Sequence, residues 1–521
     1  MNREDLAELA QSFDLAEGDL EDAAEKIAGQ VQRFAELWQA HGQPEAGSVR
    51  ALRRIARRHR VDLPQKDTLG PLLNRLTDAA WWRRALRKRF RIVEQHEIAR
   101  GAVHRRAAPY VSAKAMRRRE RNARRLAELL ASLQAVNLDT GEALPLDELI
   151  ATSQANPAMR RMAMMSRIRG IETHAKARDD VAIFLTLTAP SRMHARHQAG
   201  HANDKHDGTA PREAQAYLSR VWANAMRSTR RQGLTAYGLR TVEPHHDACP
   251  HWHVLLFTRP EQVDPLLNTL RAYALTDSPT EPGAQQHRFT AERIDPSKGS
   301  AAGYVAKYVA KSIDGHGLED DTESDDDGAT AAGRIVAWAR LWGIRQFQFF
   351  GLPPITPTRE LYRHSGQGLE SQALDQAHQA CKAKDYAGYL RALESHALGL
   401  RVVYEDRPSN RYAGELAKAI RGLLASGADL HAPRAITTRT ETWVIQPKAG
   451  TQRDGAAGAP WTRFNNCAHP CESSTCESIA GPAPAVDGAR PGDRRRRPKP
   501  EPARPRRRPE IEAAMMEEAA C

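Results

Sequence analysis

Apolar positions recur every three or four residues through most of the first 175 residues, in DLAELAQSF, AAEKIAGQVQRFAELW, RRLAELLASLQ and LDELIATS. That period puts them on one face of a helix and predicts an all-helical start to the chain. SQANPAMRRMAMMSRIRGIETHAKA continues it, with Asn156-Pro157 starting a helix and Gly170 in its run-out. At Val181 the period changes. VAIFLTLT, residues 181–188, is β-branched and aromatic, stops at Ala189-Pro190-Ser191, and predicts a buried strand. A helix is expected over REAQAYLSRVWANAMRSTRRQ, then a hairpin of AYGLRTVE and HWHVLLFT around the turn-rich PHHDACP. HRFTAERID is a further strand candidate, and SKGSAAGYVAKYVAKSI behind it has a helical pattern. The order predicts an α+β fold, a central antiparallel sheet flanked by helices. Its expected limits are 151–355, between a helical basic region (1–150) and a helical accessory region (356–450), with a disordered Pro/Arg-rich tail (451–521).

Charge sharpens this division. The net charge is +13 and the pI about 9.6, which favours a polyanionic partner. Between Trp81 and Arg125 there are 16 Lys/Arg against Glu94, Glu97 and Glu120, with Trp81, Trp82, Phe90 and Tyr110 among them. Arginines interleaved with aromatics suit nucleic acid, and a solvated helical face is the plain alternative. In the tail, RRRRPKPEPARPRRR sets nine basic residues against one acid. EDDTESDDDG, residues 319–328, has the opposite sign and reads as a solvated loop without the ligand spacing of a calcium site. No apolar run is long enough to span a bilayer and the N-terminus has no secretory pattern, so no membrane partner is expected. The six cysteines show no disulfide framework, which fits a reducing cytoplasm. Cys467, His469, Cys471 and Cys476 superficially resemble a zinc site but lack a second CxxC.

The candidate chemistry lies in two short stretches. In PHWHVLLF, His251 and His253 alternate with apolar residues on a strand, so both imidazoles leave one face, an arrangement suited to a divalent metal. Glu243 ends the preceding strand candidate and a hairpin would bring its carboxylate to that face, with His245 and His246 in the turn as substitutes. Two imidazoles and a carboxylate suit Mg2+ or Mn2+ in phosphoryl chemistry. In YVAKYVAK, Tyr304 and Tyr308 are four residues apart and share a helix face, and Lys307 and Lys311 form a second such pair. Tyrosines packed on the sheet with lysines in water is the bland alternative. With a metal near, a phenol can attack a phosphodiester while a lysine serves as auxiliary cation.

FLTLTAPS, PHWHVLLF and YVAKYVAK, in this order, resemble the three motifs of HUH-superfamily rolling-circle replication initiators, in particular the phage replication gene A protein family. ANPAMRRMAMMSRIRG and WGIRQFQFFG resemble its flanks, and the resemblance covers roughly residues 147–362. It implies an HUH nickase domain with a ferredoxin/RRM-like palm. It further implies a metal held by His251 and His253, and Tyr304 and Tyr308 as nucleophiles. One tyrosine would nick one strand of single-stranded or supercoiled origin DNA, keep the 5′ phosphate and leave a 3′ hydroxyl as primer. The other would act after one round, so that the product strand is rejoined. The 521 residues contain no GxxxxGK[ST], so strand separation is expected from a host helicase working with the replication machinery in the bacterial host cytoplasm. A relaxase or transposase of the same superfamily is the near alternative; a non-catalytic DNA-binding protein is the distant one. FLTLTAPSRMHARH departs from the family pattern by carrying His194 and His197 beyond the strand, as DNA contacts or without a role.

Overall fold

The computed structural model describes residues 17–41, 45–59, 61, 63, 68–319, 321, 324, 326–367, 369, 371–408, 416–427 and 429–448. The cysteine cluster, the Pro/Arg-rich tail and DLAELAQSF lie outside the described residues. Helices Glu17–His41, Glu45–Arg58, Leu69–Leu76, Ala79–Arg87 and Phe90–Ala99 enclose their own core, centred on Leu20, Leu52, Leu72 and Trp82. Trp82 is inaccessible to solvent and its indole N–H donates to the Leu76 carbonyl at 2.8 Å. Tyr110 is equally buried, and Phe90 lies beneath the Arg118 guanidinium at 3.4 Å. These three aromatics are therefore packing residues, which removes most of the expected stacking platform. The arginines fare otherwise. On the long helix Ala113–Ala131, Arg117, Arg121, Arg124 and Arg125 are exposed.

Strands β1 (Leu133–Asn137) and β2 (Ala143–Pro145) form a small hairpin ahead of the helix Pro157–Lys176. That helix begins as expected, with the Asn156 side chain accepting from the Ala158 N–H at 3.0 Å. It runs through Gly170 rather than ending there. A Cβ at Gly170 would stand 2.7 Å from that of Tyr386, so glycine lets two helices cross in contact.

The main sheet comprises β3 (Val181–Thr188), β4 (Tyr237–Pro244), β5 (Pro250–Thr258), β6 (Phe289–Arg293) and β7 (Phe347–Phe350), in the order β6-β3-β5-β4-β7. Every neighbour pair is antiparallel. Period-two alternation gives each strand two destinations. Ile183, Leu185, Leu187, Trp252 and Val254 join the core beneath helices Pro211–Arg231, Val263–Ala274 and Gly328–Trp342. Phe184, Leu255 and Phe257 face the opposite core, formed with helices Pro157–Lys176, Ala301–Lys311, Gln372–Lys382 and Tyr386–Ser395. Helices thus cover both faces, and β5 is the central strand.

The accessory region is helical as expected only as far as Ser395. Beyond it, β8 (Gly399–Pro408), β9 (Leu416–Ser426) and β10 (Arg434–Thr437) form an antiparallel sheet, and β11 (Trp443–Pro447) pairs with β1. LAKAIRGLLAS has apolar residues at helical spacing, but pairing on both sides of β9 outweighs that pattern. No helix among the described residues is long and apolar enough to cross a membrane.

Candidate active site

The hairpin of β4 and β5 sets the site. Its register places Glu243 opposite His251 and Thr241 opposite His253, while β3 places Thr186 against His253 from the other side. Thr186 Oγ1 lies 3.2 Å from His253 Nδ1, which leaves Nε2 to face His251 Nε2 at 2.9 Å. Ligand atoms of Glu243, His251 and His253 all lie within 4.8 Å of one another. Two donors about 2.1 Å from one ion, at a right angle, stand about 3 Å apart, so the imidazole pair has the spacing of one edge of a coordination shell.

Electrostatics suit a cation as well. Burial first, then the charges of Lys311 and Lys307, push His253 down to about 3. Burial first, then its histidine neighbours and Lys311, push His251 well below the usual imidazole range. Both rings are neutral at physiological pH and offer lone pairs. His251 Nδ1 is buried with no hydrogen-bond partner. Glu243 accepts from Ser312 Oγ at 3.2 Å and lies 3.7 Å from Lys311 Nζ. The residues fit a divalent cation, with Glu243, and neither His245 nor His246, completing the set.

The tyrosine helix, Ala301–Lys311, is held at its first turn. Ser300 Oγ accepts from the Gly303 N–H at 2.9 Å. The buried Glu172 carboxylate accepts from the Ala301 and Ala302 N–H groups at 3.2 and 3.0 Å, stabilising the positive end of the helix. After the helix, Gly315 adopts φ +73° where a Cβ would stand 2.1 Å from the Gly328 carbonyl, so only glycine fits the turn. Tyr308 lies against His253 with ring centroids 4.2 Å apart and stacks on Phe184 at 5.1 Å. Tyr304 touches the same Phe184 ring at 4.9 Å but is 37% exposed, and its hydroxyl donates to Glu292 at 2.8 Å. That hydrogen bond, more than partial burial, raises the Tyr304 pKa. The phenols that look equivalent in YVAKYVAK have different surroundings.

The lysines also diverge. Lys307 Nζ is 4.9 Å from the Tyr308 ring centroid. Lys311 is not in water: its side chain is 14% exposed and its ammonium lies 2.8 Å from Asp321 as well as beside Glu243. Asp321 is buried, accepts from the Tyr110 hydroxyl, and accepts from Ser324 Oγ at 2.6 Å. Burial alone would raise its pKa, yet Lys311, Ser324 and Tyr110 together outweigh that and lower it. The acidic run read as a solvated loop therefore sends one carboxylate into the interior. Its charge is neutralised there by a lysine that the sequence does not mark as its partner.

His194 is half-buried and turned toward the protein's own groups. Its Nδ1 lies 3.4 Å from the buried Asp247, and its ring meets that of His245 at 5.0 Å. Burial disfavours a charge on His194, but Cys249 and Asp247 outweigh it and raise its pKa well above the usual value. His245 stacks on His251 at 4.0 Å, and burial, then the charge of His194, push it down to about 3. Histidines with depressed folded pKa values take up protons more readily in the unfolded chain, so their contribution falls as pH drops below about 6.5. At pH 5, His245 and His253 should each lower unfolding free energy on the order of 2 kcal/mol relative to pH 7. The urea midpoint should fall accordingly; an unchanged or higher midpoint at pH 5 would contradict these buried neutral imidazoles.

Sequence reasoning missed Thr186, Phe184, Glu172, Ser312, Asp321 and Glu292. Period two in FLTLT already puts Phe184 and Thr186 on one face, but nothing local says that this face is the histidines' own.

The family described as bacteriophage replication gene A protein (GPA) matches residues 4–316. The chain is 36% identical over 424 residues to the replication protein of Haemophilus phage HP1, covering 76% of this chain and 53% of that one. It is 36% identical over 422 residues to the replication gene A protein of Escherichia phage 186, covering 77% and 60%. It is 32% identical over 487 residues to a probable replication endonuclease from a prophage-like region of Salmonella paratyphi A, covering 88% and 59%. The chain thus spans between about half and three-fifths of these relatives' length. No solved structure matches it.

Proposed function

The chain belongs to the bacteriophage replication gene A protein family, and from that membership and the site's geometry we propose that it is a metal-dependent, site-specific single-strand DNA endonuclease and strand transferase that starts rolling-circle replication. The observation that carries the reading is the contact of Tyr308 with His253, at 4.2 Å between ring centroids, inside the pocket that gathers Glu243 and His251. A nucleophile and a metal-ligand set meet there from a helix and a hairpin remote in sequence.

A phenol oxygen of Tyr304 or Tyr308 attacks the scissile phosphorus, and the bond from phosphorus to the 3′ oxygen breaks. The phenol proton passes to solvent, and the departing oxygen gains a proton to become a 3′ hydroxyl. The 5′ phosphate stays on the tyrosine as an ester. One phosphodiester replaces another, so the step needs no nucleotide hydrolysis and reverses when a 3′ hydroxyl attacks the phosphotyrosine. A bound Mg2+ or Mn2+ would supply a Lewis acid for the phosphoryl oxygens and the departing oxygen. Thr186 holds the His253 ring in orientation, Phe184 supports both phenols, and Lys307 adds positive charge beside Tyr308. Supercoiled or single-stranded origin DNA is the substrate in this reading, with a host helicase and replication machinery as partners.

The test incubates the protein with a random-sequence single-stranded DNA pool and Mn2+, followed by denaturing electrophoresis. A covalent adduct that chelator prevents, and whose attached 5′ ends converge on one sequence, is the expected result. DNA binding without any adduct would sink the nickase reading and leave a non-catalytic DNA-binding protein.

A further inference from the structure

We propose that a belt of arginines around the edge strand β7 is a track for the phosphodiester backbone of DNA, separate from the metal pocket and leading into it. This extends the reading of the chain as a DNA-processing enzyme and rests on it.

The belt draws on separate elements. Arg240 lies on β4, on the face opposite Glu243, and is only 7% exposed. Its guanidinium stacks 3.9 Å over Trp252, and its Nε is buried without a hydrogen-bond partner. Arg345, exposed just before β7, has its Nε donating to the Phe347 carbonyl at 3.1 Å. Around the end of the sheet, Arg160 is exposed, with its guanidinium 5.6 Å over the Phe347 ring. Arg119, on the basic helix, packs against Gly333, where a Cβ would stand 3.4 Å from its Nη1, and its Nε is again buried without a partner. Arg340 lies two turns beyond Gly333 on the same helix, on the same side.

These cations repel one another. Burial, then Arg345, pushes Arg240 down to about 10, and burial, then Arg340, lowers both Arg119 and Arg160. No carboxylate among the described residues forms an ion pair with Arg160, Arg240, Arg340 or Arg345. Other arginines of the protein do have an acid beside them. Arg288 meets Glu281, Arg161 meets Asp314 at 3.0 Å, and Arg439 meets Glu360 at 2.8 Å. Burying a guanidinium beside another without an anion is unfavourable unless an anion arrives from outside. Planar guanidiniums suit phosphate oxygens, and a line of them suits a polyanion better than a single ion.

The belt also leads somewhere. Phe347, under Arg160, pairs with Thr241, which is two residues from Glu243 on the same strand face. Gln346 donates to the Ser312 carbonyl at 3.0 Å, and Ser312 donates to Glu243 at 3.2 Å. A strand lying along the belt on this side therefore arrives beside the metal ligands.

The test compares the wild type with the triple variant Arg160→Gln, Arg340→Gln, Arg345→Gln. Binding of a labelled mixed-sequence oligonucleotide, single-stranded or as its duplex, is titrated between about 50 and 200 mM salt. Loss of three phosphate contacts should reduce the slope of log K against log salt by about 2 for the single strand or about 3 for the duplex. A reduction confined to one arm says which form the belt holds. The corresponding triple lysine variant should keep the slope. Removing three exposed arginines elsewhere, Arg227→Gln, Arg230→Gln, Arg231→Gln, should leave it nearly unchanged.

An unchanged slope in the first variant overturns the belt. So does an equal reduction in the distant variant, or one in the lysine variant. Adduct formation by the wild type, scored separately, tests the nickase reading: adduct with an unchanged slope removes the belt alone, and a reduced slope without adduct removes the nickase alone.

Discussion

Replacing His251 and His253 together by alanine abolishes Mn2+-dependent covalent attachment to DNA, with a rate loss of at least about 10^3-fold, while DNA binding persists. The two rings meet at Nε2 with 2.9 Å between them and are held neutral by burial, so removing both leaves Glu243 as the one remaining donor of the set. In the proposed reading phosphate contacts come from the exposed arginines of the basic helix and from the belt around β7, neither of which the substitution touches. Binding is read by anisotropy and attachment by a denaturing gel. Attachment that survives in the double variant would mean that the metal pocket lies elsewhere. Loss of binding together with attachment would mean that the hairpin had unfolded, which circular dichroism of the same sample decides.

The second large effect concerns the tyrosines. Changing Tyr304 and Tyr308 together to phenylalanine leaves no adduct, whereas each single change leaves some cleavage of a short oligonucleotide. Phenylalanine keeps both rings on Phe184 and removes only the nucleophilic oxygens. Tyr304→Phe also loses the hydrogen bond to Glu292, worth about 1 kcal/mol or less at an exposed site. The fold should therefore persist in all three variants. Adduct formed by the double variant would refute the assignment of these residues as nucleophiles, and mapping the modified residue in each single variant reports which phenol carries the DNA.

Much of this was legible in the residues themselves. The change of period at Val181, the hairpin around PHHDACP and the helix of YVAKYVAK are local features, and each formed within a few residues of its expected position. The histidine pair was legible because period two on a strand already puts both imidazoles on one side. What was not legible depended on partners remote in the chain. Trp82, Phe90 and Tyr110 looked like a stacking platform among arginines, but helical packing buried them. Asp321 looked solvated, yet Lys311 and Tyr110 draw it inward. The strands after Ser395 were hidden because β9 carries its apolar residues at helical spacing.

By itself, then, the sequence determined which side chains can do chemistry and on which face of its own element each one sits, because helix and strand periods are properties of the local backbone. Only the tertiary structure decided that these faces are the same face. The β4/β5 register puts Glu243 opposite His251, β3 brings Thr186 to His253, and Glu172 docks the tyrosine helix over them. Register and docking are set by contacts between residues up to 130 positions apart. For the same reason, two identical tetrapeptides hold unlike tyrosines, one resting on the His253 imidazole and one on an exposed carboxylate.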